Sequence, residues 1–353
     1  MSPTSRTLLR IIAVLAAMLP GLASAQDTTA RKEKNVPPLY TKETPVAVTF
    51  TANLRRLRSD KDTNAPWRQG TIAYTSDTGR VVLPARARTR GIWRLKNCGF
   101  PPIRLDFSGK ETKGTLFHQL GKPKLVNYCR DTDAYEQYIL QEHQLYRVYQ
   151  QLTPVSYRVR LLRVAYVDSA SGKTDATRYA ILAEDPEQLA NRLGGTVLKT
   201  KGATADDLDA ESLALAYLYQ FMIANTDFSF NGLHNTQLIG LTDGRILPVA
   251  YDFDYAGAVN TSYAVPDPSL RIRTVRQRKF RGYCALAAEY PKVLPLFHQK
   301  KAAIYALYRD EIGQLMDPKI VRETLEYFDE FYEMIATPAS AQSAFLRDCV
   351  GPG

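Results

Sequence analysis

Polar and apolar positions change rhythm about halfway along the chain. In the first half they alternate. The stretches 47–54 (AVTFTANL), 70–76 (GTIAYTS), 81–88 (VVLPARAR), 101–107 (PPIRLDF) and 122–129 (KPKLVNYC) are short, rich in β-branched and aromatic residues, and bounded by Gly, Asp, Asn or Pro. Each is predicted as a strand. From Asp131 to Leu152 the spacing becomes helical, with Tyr135, Tyr138, Ile139, Leu145 and Tyr149 forming an apolar stripe, and Thr153-Pro154 ends it. Strands at 157–168 and 178–185, joined by the hairpin-like SASGKTDA, lead into a short helix at 186–193.

Helical spacing dominates the second half. Residues 210–225 (AESLALAYLYQFMIAN) are apolar nearly all round, which predicts a buried helix. Asp206, Asp207 and Asp209 precede it, favourable against its dipole. The basic stretch 269–284 follows, then 292–315 and an amphipathic helix at 319–335. Sheet first and helices second indicates an α+β fold with a strand-rich N-lobe over 41–185 and a helical C-lobe over 186–353.

The N-terminus has the pattern of an export signal over 1–25. Arg6 and Arg10 precede an apolar run from Ile11 to Leu22, and Ala23-Ser24-Ala25 gives a small-x-small cleavage pattern. The run is shorter than the roughly 20 residues a membrane span requires, and no other apolar stretch reaches that length. Residues 26–40 are polar and charged, and are expected to be a disordered leader. The net charge of +10 becomes +8 once Arg6 and Arg10 are removed. Basic clusters at Arg86 to Lys96 and Arg271 to Arg281 carry no DNA- or RNA-binding signature, so no nucleic-acid partner is expected. The four cysteines lack Cys-x-x-Cys spacing and the four histidines are scattered, which favours disulfides over a zinc site. A periplasmic or extracellular location is expected.

Candidate chemistry gathers in residues 224–257. Asp227 lies in a polar loop after the buried helix, and His234-Asn235 opens a strand that turns at Asp243-Gly244. The chain returns as ILPVAYDFD, ending at Asp252-Phe253-Asp254. Asn235 and Asp252 therefore stand at hairpin ends that can meet, beside Asp227. An amide and a carboxylate so placed can hold a hard divalent cation, and Asp227 can accept a hydroxyl proton. Each residue also has a plainer reading. Asp227 alone would serve as a turn residue, His234 as an exposed turn histidine, and Asp252 with Asp254 as the Asp-x-Asp of a nucleotide-sugar glycosyltransferase. No alternating βαβ pattern precedes them to support that last reading.

This order of helix, acid-bearing loop, Asn, strand pair and Asp-Phe-x is that of protein kinases. With Asn225-Thr226-Asp227, His234-Asn235, Tyr251-Asp252-Phe253-Asp254 and RTRGIWRLKNCGFPPIRLDF (88–107), the chain resembles CotH-like (spore-coat protein H) atypical kinases over roughly 80–260. It is similar, more loosely, to HipA-like and lipid-kinase-like folds. The resemblance implies a bilobal protein-kinase-like fold, ATP or another nucleotide triphosphate as substrate, and Mg²⁺ or Mn²⁺. Asp227 would be catalytic, Asn235, Asp252 and Asp254 would serve the metal, and Lys124 would hold phosphates, paired with Glu142. Lys122 and Arg104 are alternatives to Lys124. The step from Asp227 to Asn235 is longer than in ordinary kinases, and no Gly-x-Gly-x-x-Gly loop is present.

Two functions follow as expectations. One is an exported phosphotransferase acting on a hydroxyl of a protein or glycan. The other is a non-catalytic kinase-fold module that binds an anionic envelope polymer or a protein through Arg271, Arg273, Arg276, Arg278, Lys279 and Arg281. Of the three disulfide connectivities, pairing within lobes, Cys98 with Cys129 and Cys284 with Cys349, is expected.

Overall fold

Strand β1 (Val46–Ala52) is an inner strand of an eight-stranded sheet. The others are β2 (Gly70–Ser76), β3 (Gly79–Pro84), β4 (Arg86–Thr89), β5 (Ile103–Asp106), β6 (Lys124–Val126), β7 (Val159–Asp168) and β8 (Thr174–Ala183), in the order β3-β2-β1-β7-β8-β6-β5-β4. Only β1 and β7 run parallel among these pairings. The structure is a computed structural model that describes residues 36–351 except Thr63 and Ser108. The expected export signal and the leader up to Asn35 lie outside the described residues. Residues 36–40, expected to be disordered, are instead folded, with Pro38–Tyr40 in a 3-10 turn. Leu39 is fully buried, and its carbonyl accepts from Arg160 at 3.2 Å.

The sheet curls back on itself. Arg68, just before β2, exchanges backbone hydrogen bonds with Ala87 of β4 at 2.7 and 2.8 Å, and Ala85 donates to the Gly70 carbonyl at 2.9 Å. Gly70 is needed at this crossing, because a Cβ there would stand 2.7 Å from the Thr51 carbonyl oxygen. The stretch 81–88, expected as one strand, therefore divides at Ala85 into β3 and β4 as the chain turns the corner. Two-residue alternation gives the sheet two apolar faces. Leu162, Val164 and Leu182 join Phe50, Phe100, Leu105 and Tyr166 in the core of the curl, whereas Leu161 and Ile181 face the helices.

Short helices α1 (Leu54–Ser59) and α2 (Trp93–Asn97) interrupt the sheet. Helix α3 (Asp133–Leu152) packs on β7 and β8 with one side and on the C-terminal helices with the other, which buries residues 139–149 without a break. Several of those are polar and find partners. Gln144 donates to the Leu307 carbonyl at 2.7 Å, and Arg147 reaches Gln144, Glu43 and Asp310. Beyond the sheet come α4 (Pro186–Leu193), β9 (Gly195–Leu198), α5 (Ala210–Met222) and the hairpin β10 (Thr236–Leu241)–β11 (Ile246–Ala250). Then follow α6 (Tyr290–Ala306), α7 (Pro318–Met334) and α8 (Pro338–Leu346). Asp209 caps α5 by accepting from the Ser212 amide at 3.0 Å. The basic stretch 269–284 contains only short 3-10 turns.

The fold is thus α+β, with a strand-rich first half and a mainly helical second half. From Val36 onward the chain packs as one compact unit. Both expected disulfides form, Cys98–Cys129 and Cys284–Cys349. The second closes a 65-residue loop and is flanked by backbone bonds from Cys284 to the Val350 carbonyl (2.8 Å) and from Val350 to the Gly282 carbonyl (2.9 Å). Replacing Cys284 and Cys349 together by Ser should lower the unfolding free energy by about 2–5 kcal/mol. Urea titration of the two proteins measures this, and superimposable curves would show that the tether contributes nothing.

Candidate functional site

The site begins at the end of α5. Asn225, buried, accepts from the Asp227 amide at 3.0 Å and so makes the side-chain turn that Asp227 itself could have made. The carboxylate of Asp227 is left to face outward. Its Oδ1 lies 2.8 Å from His234 Nε2, and its Oδ2 accepts from Asn235 Nδ2 at 2.9 Å. Asn235 Nδ2 also donates to the Asp227 carbonyl at 2.8 Å. The amide nitrogen is thereby committed to Asp227, and Asn235 Oδ1 is the free end. The hydrogen bond holds the His234 imidazolium, raising its pKa.

The hairpin registers as the Asp-Gly turn predicts, with Thr236 opposite Ala250. One further backbone bond, from Tyr251 to the Asn235 carbonyl at 3.0 Å, carries the pairing past the strands and sets Asp252 beside Asn235. Both residues have left-handed backbone, φ 50° at Asn235 and 65° at Asp252. Asn and Asp tolerate this region better than most residues, and such strain gathers at functional loops. The Asp252 amide donates to Tyr146 Oη at 2.8 Å. Its carboxylate takes part in no hydrogen bond or ion pair among the described residues. Asp254 is buried and accepts from Tyr263 Oη at 2.9 Å.

Glu142 lies inside α3 at 1% exposure, and neither carboxylate oxygen has a hydrogen-bond partner. It is therefore no solvated helix residue. Burial, then Asp252 and Asp254, push its pKa well up against the opposing pull of Arg94 and Arg90. Burial and Asp252 likewise raise Asp254 to about 7. The expected pairing of Lys124 with Glu142 does not form. Lys124 Nζ instead sits 3.9 Å from the centre of the Tyr251 ring, and burial together with Arg90 lowers its pKa to about 7. Lys124 pairs in register with Arg104 across β6 and β5, so both project from one face of the sheet. Lys122 lies outside the short strand β6 and is exposed.

The cations that act on Glu142 are Arg90, just after β4, and Arg94, in α2, and the sequence pattern assigned neither to the site. The only signal was their place in the 88–107 segment. Arg94 donates to the Asn127 carbonyl, and the Nε atoms of both arginines are buried without partners. A cavity of about 10 Å³, room for roughly one water, lies among Arg90, Lys124, Tyr146, Tyr157, Tyr251 and Asp252. A wider one of about 450 Å³ is lined by Arg104, Lys122, Asp185, Lys199 and Gln237. That is within the size range of small-ligand sites. Another, of about 570 Å³ between α6 and α8, is apolar and distant in sequence from every residue named here.

No three His, Cys, Asp or Glu side chains among the described residues are grouped as a metal cage. The donors that are present, a free Asp252 carboxylate beside Asn235 Oδ1, suit a hard cation that takes its remaining ligands from phosphates and water, as Mg²⁺ commonly does. Compared with known proteins, the chain matches no family model, and no curated protein sequence matches it.

The charge balance has a pH signature. Asp254 keeps its proton in the folded chain where the unfolded chain, with an ordinary value of 3.8, has lost it. Its contribution to stability is complete below that value and disappears as pH rises to about 7. In a chelating buffer the melting temperature should fall between about pH 4 and about pH 7, and Asp254→Asn should reduce that fall. Equal slopes in the two proteins would mean that the folded state does not hold this proton.

Proposed function

We propose that this protein is an exported phosphotransferase of kinase-like fold, moving a phosphoryl group from a nucleotide triphosphate to a hydroxyl acceptor. One observation carries the reading. The hairpin joins Asn235 to Asp227 at 2.9 Å and sets Asp252 beside them, close enough in charge to a buried, unpartnered Glu142 to raise its pKa. Acids gathered this way are costly unless cations complete them, and a nucleotide's metal would do so. The two disulfides fit an oxidising compartment, and no helix among the described residues is long and apolar enough to cross a membrane.

In this reading Asp252 and Asn235 hold Mg²⁺ or Mn²⁺, and Asp254 supports Asp252 from behind. The metal, when bound, neutralises charge on the phosphate oxygens. Arg104, Lys122 and Lys124 line the phosphate path from the sheet, while Arg90 and Arg94 take the place beside Glu142 first expected of Lys124. The acceptor oxygen bonds to the terminal phosphorus as the bond to the nucleoside diphosphate breaks. The diphosphate leaves with the electron pair, and the acceptor's proton passes to Asp227.

The non-catalytic alternative is less well supported. Arg276 and Arg278 stack on Tyr327 (4.1 and 3.6 Å), Arg278 also pairs with Glu330, and Lys279 pairs with Asp348. Arg281 donates to the Thr226 and Phe228 carbonyls. These cations serve the fold, which leaves little of the segment for a polymer.

Thermal-shift measurement with ATP and Mg²⁺ or Mn²⁺ tests the reading. Stabilisation by the pair should be lost in Asp252→Asn and strongly reduced in Lys124→Met. Asp227→Asn should keep the stabilisation and lose phosphate transfer. A parent protein indifferent to every nucleotide–metal combination would falsify the assignment.

A further inference from the structure

Beside the acids lies a surface of aromatic rings that the reading above does not use. Trp93 of α2 stacks on Tyr263 with ring centres 5.1 Å apart and meets Tyr255 edge-on at 6.4 Å. Tyr255 and Tyr263 are 5.8 Å apart, and Tyr135 of α3 continues the row, stacked on Tyr263 at 6.1 Å. The platform is open at Trp93 and half-buried at Tyr135, Tyr255 and Tyr263. Trp93 is 41% exposed, and its neighbour Ile92 is 76% exposed.

The row is continuous with the chemistry. Tyr263 Oη donates to Asp254 at 2.9 Å. Tyr255 follows Asp254 directly, and burial with the negative charges of Asp254, Asp227 and Asp252 raises its pKa to about 12. Its hydroxyl has no hydrogen-bond partner among the described residues. One end of the platform thus meets Asp254, and Tyr255 lies within electrostatic reach of Asp227, the carboxylate that would take the acceptor's proton.

The chemistry of the platform limits what it can hold. Flat ring faces interleaved with phenol hydroxyls suit a ligand that is apolar on one face and hydroxylated at its edge. Where no cation is bound, the carboxylates at the inner end disfavour an anionic acceptor. A neutral sugar meets both conditions, because its C–H face stacks on aromatic rings while its hydroxyls reach the polar groups. Resting on the phosphotransfer reading, we propose that the acceptor is a saccharide, seated against Trp93 and Tyr255 at the edge of the Tyr263–Tyr135 stack, with one hydroxyl directed to Asp227.

Trp93 can report this directly. The chain has two tryptophans, so Trp67→Phe leaves Trp93 alone. Titrating that variant with cellohexaose, maltohexaose and chitohexaose, with and without ATP–Mg²⁺, should shift its emission for at least one sugar. Saturation-transfer NMR on the parent should find the same sugar, and Trp93→Ala should weaken its binding by about tenfold or more, as expected on removal of a central aromatic anchor. Failure of all three sugars to bind overturns the proposal, as does binding that survives both Trp93→Ala and Tyr255→Ala. A serine- and tyrosine-containing hexapeptide that binds in their place also overturns it and makes the acceptor a protein. Sugar binding does not require nucleotide. Bound sugar with no nucleotide binding removes the phosphotransfer reading alone, and bound nucleotide with no sugar binding removes this proposal alone.

Discussion

Burial of Phe253 is the constraint on which the arrangement depends. Its ring is fully buried against Tyr146, Tyr149 and Tyr219, at centre distances of 4.8, 6.2 and 5.5 Å. Tyr149 and Tyr219 stack at 4.4 Å and fasten α3 to α5. Such a side chain contributes about 1.5–3 kcal/mol through area alone, so the segment 252–254 is firmly located. With Phe253 inserted, its two acidic neighbours must lie to either side of the insertion. Glu142, Tyr146 and Tyr149 recur at helical spacing along one face of α3. The same helical stripe therefore supplies both the aromatic socket and the carboxylate that confronts Asp252 and Asp254.

That confrontation is unfavourable in the isolated chain. Glu142 has no hydrogen-bond partner, and Asp254 has only the Tyr263 hydroxyl. Arg90, Arg94 and Lys124 oppose them without forming an ion pair to any of the three acids. A fold selected for stability alone would neutralise or remove such groups, because unpaired buried charge is costly. Departures of this kind from local consistency concentrate where a protein binds or transforms something.

The second half of the molecule holds the loop in which the acids meet. Arg281 donates to the carbonyls on both sides of Asp227, and three residues later Cys284 is covalently joined to Cys349. After the acids, Gly257 and Ala258 donate to the Ala224 and Ile223 carbonyls at 3.0 Å each. A Cβ on Gly257 would stand 2.4 Å from the Val275 carbonyl oxygen, so only glycine admits this close return. The loop is thus fixed from the end of α5, from the basic segment and from the C-terminal tether.

The amino-acid sequence by itself determined the division into strands and helices, the β10–β11 hairpin, both disulfide partners and the meeting of Asp227, Asn235 and Asp252. These are matters of periodicity, turn chemistry and short separations along the chain. It did not reveal α1, α2, β9 or α8, whose runs are too short for a period to emerge. Nor did it reveal the neighbours of Glu142. A pattern of apolar positions tells which face of a strand or helix turns inward, but not which residue of another element arrives opposite. The curl of the sheet decided that. It brings the end of β4 and α2 round to α3, so that Arg90 and Arg94 oppose Glu142, while Lys124, held in register with Arg104, faces Tyr251 instead.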